Sequence, residues 1–181
     1  MLHHYSDDTP VTDQIKSALR LVNNGPATLN LQDVRIRYWF TKEPSGGLIT
    51  ACDWTAHAGG CGAVLHDLDS GALDPPRQGA TYYWDIGFTS AAGSLASGTA
   101  SSEWLVHAQN DPWAPLNENN DYSYLETTTP TITSAVTVYV NDVLVWGEEP
   151  LITEEVCGDG NTQGFEQCDT AGESSSCDAD C

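Results

Sequence analysis

The sequence predicts an all-β protein, built as a two-sheet sandwich of jelly-roll type with a small disulfide-rich C-terminal extension. Three observations predict it. Apolar residues recur at every second position in several segments of the first 150 residues, turn-rich pieces separate those segments, and no window sustains helical periodicity. In chain order, "NNGPAT" and "EPSGG" are turn signals on either side of "VRIRYWF", Val34 to Phe40. That segment puts Val34, Ile36, Tyr38 and Phe40 on one face and Arg35, Arg37 and Trp39 on the other. The same period runs through "TYYWDIGF", Thr81 to Phe88, and "EWLVHA", Glu103 to Ala108. Ala135 to Gly147 reads as a hairpin turning at Asn141-Asp142. Trp39, Trp104 and Trp146 are expected in the core. The sandwich is assigned residues 1–150, followed by an acidic linker over 151–156 and a cysteine-rich repeat over 157–181. From Leu151 onward there are eight of the 26 acidic residues and neither Lys nor Arg. So few apolar residues cannot form a core, so Cys157, Cys168, Cys177 and Cys181 are expected to form two disulfides, in any of three pairings.

Charge excludes whole classes of partner. The 181 residues carry 26 acids against six Lys and Arg, a net charge of −20. Phosphate binding needs clustered cations, so neither nucleic acid nor an anionic membrane surface is a partner. No segment approaches the roughly 20 apolar residues of a membrane span. Six cysteines in an acidic chain point to an oxidising, extracellular setting. Met1 to His4 lacks the basic and apolar regions of a signal peptide and reads as a start from which an export signal was removed. Three Phe against six Trp and seven Tyr favour rings with a polar handle, suited to half-exposed positions.

"CDWTAHAGGC", Cys52 to Cys61, is the most informative motif. Structural zinc commonly uses cysteines two to four residues apart, and a redox pair uses C-x-x-C. Eight residues intervene here, so the expectation is a disulfide that fixes where Asp53 and Trp54 point. Trp54 stands in a Gly-rich loop and Trp113 in "NDPWAPLNENND", both amid polar neighbours, which suggests an exposed stacking surface. Asp67 and Asp69 read as a solvated turn. Asp159 to Thr170 opens like an EF-hand loop but ends on Thr where a bidentate Glu belongs. No pair among the 18 acids before Leu151 is singled out by spacing for glycoside hydrolysis. An oxidative copper site needs clustered imidazoles, and the adjacent His3 and His4 face opposite ways on a strand.

The blocks "QIKSALRLVNNGPATLNLQDVRIRYWFT", "CDW", "GFTSAAGSLASG", "NDYSY" and "VTVYVNDVLVWGEEP" resemble, in order, a family 3 carbohydrate-binding module from about Leu2 to Pro150. The tail, with "CGDG", "EQCD" and "CDADC", resembles short cysteine-rich repeats of secreted bacterial proteins. The first resemblance implies a nine-stranded jelly roll whose flat face binds cellulose and whose parent is a larger secreted protein. It implies a strip of Asp53, Trp54 and Trp113, with His107 where the family places an arginine beside the aspartate. The strip's further tyrosine has no counterpart in "GGCGAVLHDL". Histidine's reference pKa is about 6.5, so binding is expected to strengthen below neutrality. A structural calcium is implied at Thr41, Glu43, Asn117, Asn120 and Asp121. A groove on the opposite sheet is implied at Arg37, Tyr83, Asp85 and Tyr122, for a peptide linker or a single glucan. A secreted polysaccharide-active enzyme and an adhesion or scaffold module are the competing readings.

Overall fold

The computed structural model describes residues 2–4, 9–43, 47–68, 70–111 and 113–152. The cysteine-rich repeat, its four cysteines, the EF-hand-like stretch and Asp69 lie outside the described residues. In chain order the strands are β1 (Leu2–His4), β2 (Val11–Thr12), β3 (Gln14–Arg20), β4 (Leu29–Asn30), β5 (Val34–Phe40), β6 (Gly47–Thr55), β7 (Val64–Asp67) and β8 (Ala72–Arg77). There follow β9 (Ala80–Phe88), β10 (Ser94–Leu95), β11 (Trp104–Asp111), β12 (Leu116–Asn117), β13 (Thr131–Ile132), β14 (Thr137–Val140) and β15 (Val143–Trp146).

One sheet runs β13-β1-β3-β11-β6 and the other β15-β14-β5-β9-β7, with β8 on the edge of β9. Every ladder is antiparallel. This is the jelly-roll sandwich that the alternating segments predict. The period-two reading of β5 holds: Ile36 pairs with Ile86 and Tyr38 with Trp84, and all four are fully buried. Phe88 extends the same face of β9, and Leu19, Trp104 and Val106 of the five-stranded sheet complete the buried cluster. Trp39 points away from that core yet is also buried, because the arms of Arg37 and Arg77 lie across its ring.

The hairpin turns at Asn141 and Asp142, both with positive φ (50° and 64°), as a two-residue turn matched to strand twist requires. Trp146 departs from its expected place. It ends an edge strand and is 37% exposed, since among the described residues β15 pairs only with β14. At the opposite edge the chain passes from β6 to β7 through a single 3-10 turn, Gly60–Ala63. Gly59 makes this crossing possible: its φ is +79°, and a Cβ there would stand 2.6 Å from that of Ala63. The Cys52–Cys61 disulfide forms as expected and closes the same crossing.

Candidate functional site

The outer face of the five-stranded sheet is set by β11. Trp104, Val106, Ala108 and Asn110 are buried inward, so Leu105, His107, Gln109 and Asp111 look outward. Along β6 the register slips: Leu105 faces Trp54 and Val106 faces Cys52, leaving Asp53 as an extra residue. Strict alternation would send Asp53 and Trp54 to opposite faces. The bulge instead turns Trp54 to the outer face next to Asp53, while Cys52 packs against the core. Both carboxylate oxygens of Asp53 lie 2.9 Å from His107 Nδ1. Trp54 is 52% exposed, and Trp113, two residues past the end of β11, is 59% exposed. The sequence reading missed three neighbours on this face. Lys16 stands opposite His107 in the ladder, and Gln14 Nε2 donates to Gln109 Oε1 at 2.8 Å. Their alternation within β3 and β11 was the available signal.

The five residues assigned to a cation come together at the end of β5 and around the 3-10 turn Glu118–Asn120. The Thr41 backbone N–H donates to Asp121 Oδ1 at 2.7 Å, and Thr41 Oγ1 to the Asn120 carbonyl at 3.2 Å. The Asn117 N–H donates to Glu43 Oε1 at 3.3 Å. Burial pushes the Asp121 carboxyl up to about 8 and Glu43 adds to the rise, against the opposing Thr41 hydrogen bond. Glu118, which the sequence reading did not single out, is wholly buried. Burial, with Asp121 second, raises it to about 9. Its Oε1 accepts from Thr12 and its Oε2 has no partner among the described residues. The two acids Glu43 and Asp121, with amide oxygens and carbonyls, form a donor set that suits a hard ion. Among the described residues no group of three or more His, Cys, Asp or Glu side chains is placed to hold a metal.

The opposite sheet gathers Arg37, Tyr83 and Asp85 into a closed cluster. Arg37 donates through Nε and Nη2 to the two oxygens of Asp85, at 2.7 and 2.9 Å. Its guanidinium lies 3.6 Å from the centre of Tyr83 and 4.8 Å from that of Tyr139. Tyr139 in turn donates to Glu149, which also pairs with Arg77. Tyr122 is engaged elsewhere, donating to the Glu148 carbonyl at 3.1 Å. Tyr139, Arg77 and Glu149 are therefore members of this cluster that the sequence reading did not name.

The fold is a β-sandwich whose outer face carries the exposed Trp54 indole beside the Asp53–His107 pair, with a second exposed indole, Trp113, just past the end of β11. The family model described as cellulose binding domain matches residues 1–147, and the chain belongs to that family. It is 36% identical over 148 residues to a xyloglucanase of Paenibacillus sp, covering 81% of this chain and 14% of that one. It is 32% identical over 151 residues to a beta-mannanase/endoglucanase A of Caldicellulosiruptor saccharolyticus, covering 83% and 11%. The chain thus spans a small part of these relatives. Among solved structures it is similar to CBM3b of the scaffoldin subunit ScaA from Acetivibrio cellulolyticus, with TM-score 0.75 and 31% identity over 82% of this chain and 95% of that one.

Proposed function

We propose that this chain is a non-catalytic module that adsorbs to cellulose through Asp53, Trp54, His107 and Trp113, holding a larger secreted protein against plant cell-wall polysaccharide. The observation that carries this reading is the pair of indoles left more than half exposed on a rigid antiparallel frame. A pyranose ring offers C–H groups on its faces and hydroxyls around its rim, so an indole covers a face while neighbours bond the edge. Flat-ligand stacking on an aromatic is worth roughly 1–3 kcal/mol in the nucleobase case. Little ordering entropy opposes it on a preformed sheet. The relatives named as polysaccharide-cleaving enzymes support a parent protein of that kind.

Calcium at Thr41, Glu43, Asn117, Asn120 and Asp121 is the ion this donor set suits. It would neutralise the buried acids and tie the segment after Trp113 to the end of β5. Protonated His107 would hold Asp53 by a charged contact, tightening the strip. The test is retention on cellulose at pH 5.5 and pH 8, with the Trp54→Ala and Trp113→Ala chains beside the parent. Retention that is weaker for both variants, and for the parent weaker at the higher pH, is expected. Equal retention at both pH values removes His107 from the account, and equal retention of all three chains removes the strip.

A further inference from the structure

Away from the strip, the edge strand β15 is left open. Val143, Leu144, Val145 and Trp146 are all apolar and all exposed, from 37% at Trp146 to 63% at Val143. Natural sheets guard such edges with lysine, proline or an inward charge, and none occurs between Val143 and Trp146. Among the described residues no backbone group of this strand bonds beyond β14. Beside it the two sheets part into a cleft of about 360 Å³, lined by Leu21, Leu29, Val138, Val140, Val145 and Trp146. Leu21 and Val138 belong to the buried core, so the cleft has a fixed apolar floor. The Trp146 Nε1–H donates to the Thr133 carbonyl at 3.0 Å, which leaves the ring as an apolar wall. Among the described residues no charged side chain lines the cleft, and its polar side chains are Asn23 and Asn24.

We propose that this edge takes up an extended peptide as an added strand, with apolar side chains at alternate positions entering the cleft and lysine or arginine on either side of them. The free ladder edge supplies the backbone partners, and the cleft selects every second side chain. Charge decides the flanks. The strand is bracketed by Asp142, solvent-exposed although paired with Arg35, and by the exposed Glu148, in a chain of net charge −20. Cationic flanks complement that field, whereas a second copy would bring the same acids against themselves.

The test titrates the isotopically labelled full chain with the synthetic peptide Lys-Lys-Val-Thr-Val-Thr-Val-Lys-Lys, capped at both ends. Saturable shifts at the Val143–Trp146 amides and the Trp146 indole N–H are expected, with a dissociation constant on the order of 10–100 μM. Added salt should weaken binding. Val145→Asp and Val143→Asp, both at exposed positions, should each weaken it at least about tenfold with unchanged melting. Three results overturn the proposal: no shift at about 1 mM peptide, equal binding of a glutamate-flanked peptide, or edge signals that respond to protein concentration alone.

Discussion

The two outer faces of the sandwich are made from the same ingredients, an acid paired with a cationic or protonatable side chain among aromatic rings, and only one is open. On the six-stranded sheet Asp85 is 6% exposed under a two-pronged Arg37, with Tyr83 and Tyr139 against the guanidinium and Glu149 sealing the far side. On the five-stranded sheet the Asp53 side chain is 49% exposed and the adjoining Trp54 is more than half exposed, as is Trp113 past the end of β11. A satisfied, covered pair has its groups spoken for and contributes to holding the fold together. On the open face it is the Asp53 carboxylate that is uncovered, its His107 partner being largely buried, and that carboxylate beside bare rings has hydrogen-bonding capacity left for a ligand. Residue type alone does not separate the two cases; what lies over them does.

The comparison can be broken most forcefully on the closed side. Arg37→Ala strands the Asp85 carboxylate beneath tyrosines, and breaking such a pair should cost about 3 kcal/mol in urea unfolding, with cellulose retention unchanged. Retention lost along with stability would mean the closed face also binds. The disulfide sits at the boundary of the open face. Replacing Cys52 and Cys61 by serine should cost up to about 2.5 kcal/mol, from the loop closed, and should weaken adsorption because Cys52 adjoins the bulge that aims Trp54. On the open side itself, Trp54→Ala should lower affinity about tenfold, or 1.4 kcal/mol. Its unfolding free energy should move by no more than about 0.5 kcal/mol.

The remaining effect concerns pH and neither outer face. His66 stacks on Trp84 with centroids 5.5 Å apart, and its Nδ1 has no partner among the described residues. Burial, with a smaller contribution from His107, lowers its pKa to about 4. The unfolded chain takes up that proton near 6.5, and the folded chain does so only near 4. At this side chain the unfolded state then binds more protons in the window, so His66 adds a slope by which stability falls as pH drops, opposite in sign to the slopes of the buried Glu118 and Asp121. His66→Gln should remove that contribution from denaturation midpoints measured between pH 7 and pH 4.

Much of the fold was legible because alternation carries it. Ile36, Tyr38 and Phe40 face inward where the period places them, and Asn141-Asp142 turns where its residue types allow positive φ. Trp146 was misplaced because alternation tells which face a residue takes but not whether anything covers that face. Trp39 shows the converse: it lies on the outer face, yet long arginine arms bury it. Loop tryptophans amid polar neighbours pointed to an exposed stacking surface, but the joining of Asp53, Trp54, His107 and Trp113 into one strip came from the family resemblance. A period of two sets Asp53 and Trp54 apart, and the bulge that unites them arises from the register of β6 against β11, two strands far apart in the chain. Glu118 gave no signal at all, since an acid within "NENN" reads as solvated surface rather than as a buried group.

The most direct measurement is an adsorption isotherm on crystalline cellulose for the parent, the Trp54→Ala/Trp113→Ala double variant and Arg37→Ala, each with its unfolding curve. The account predicts that the double variant folds like the parent and binds about a hundredfold more weakly, while Arg37→Ala loses stability and keeps its affinity. A double variant that adsorbs as the parent does would contradict it.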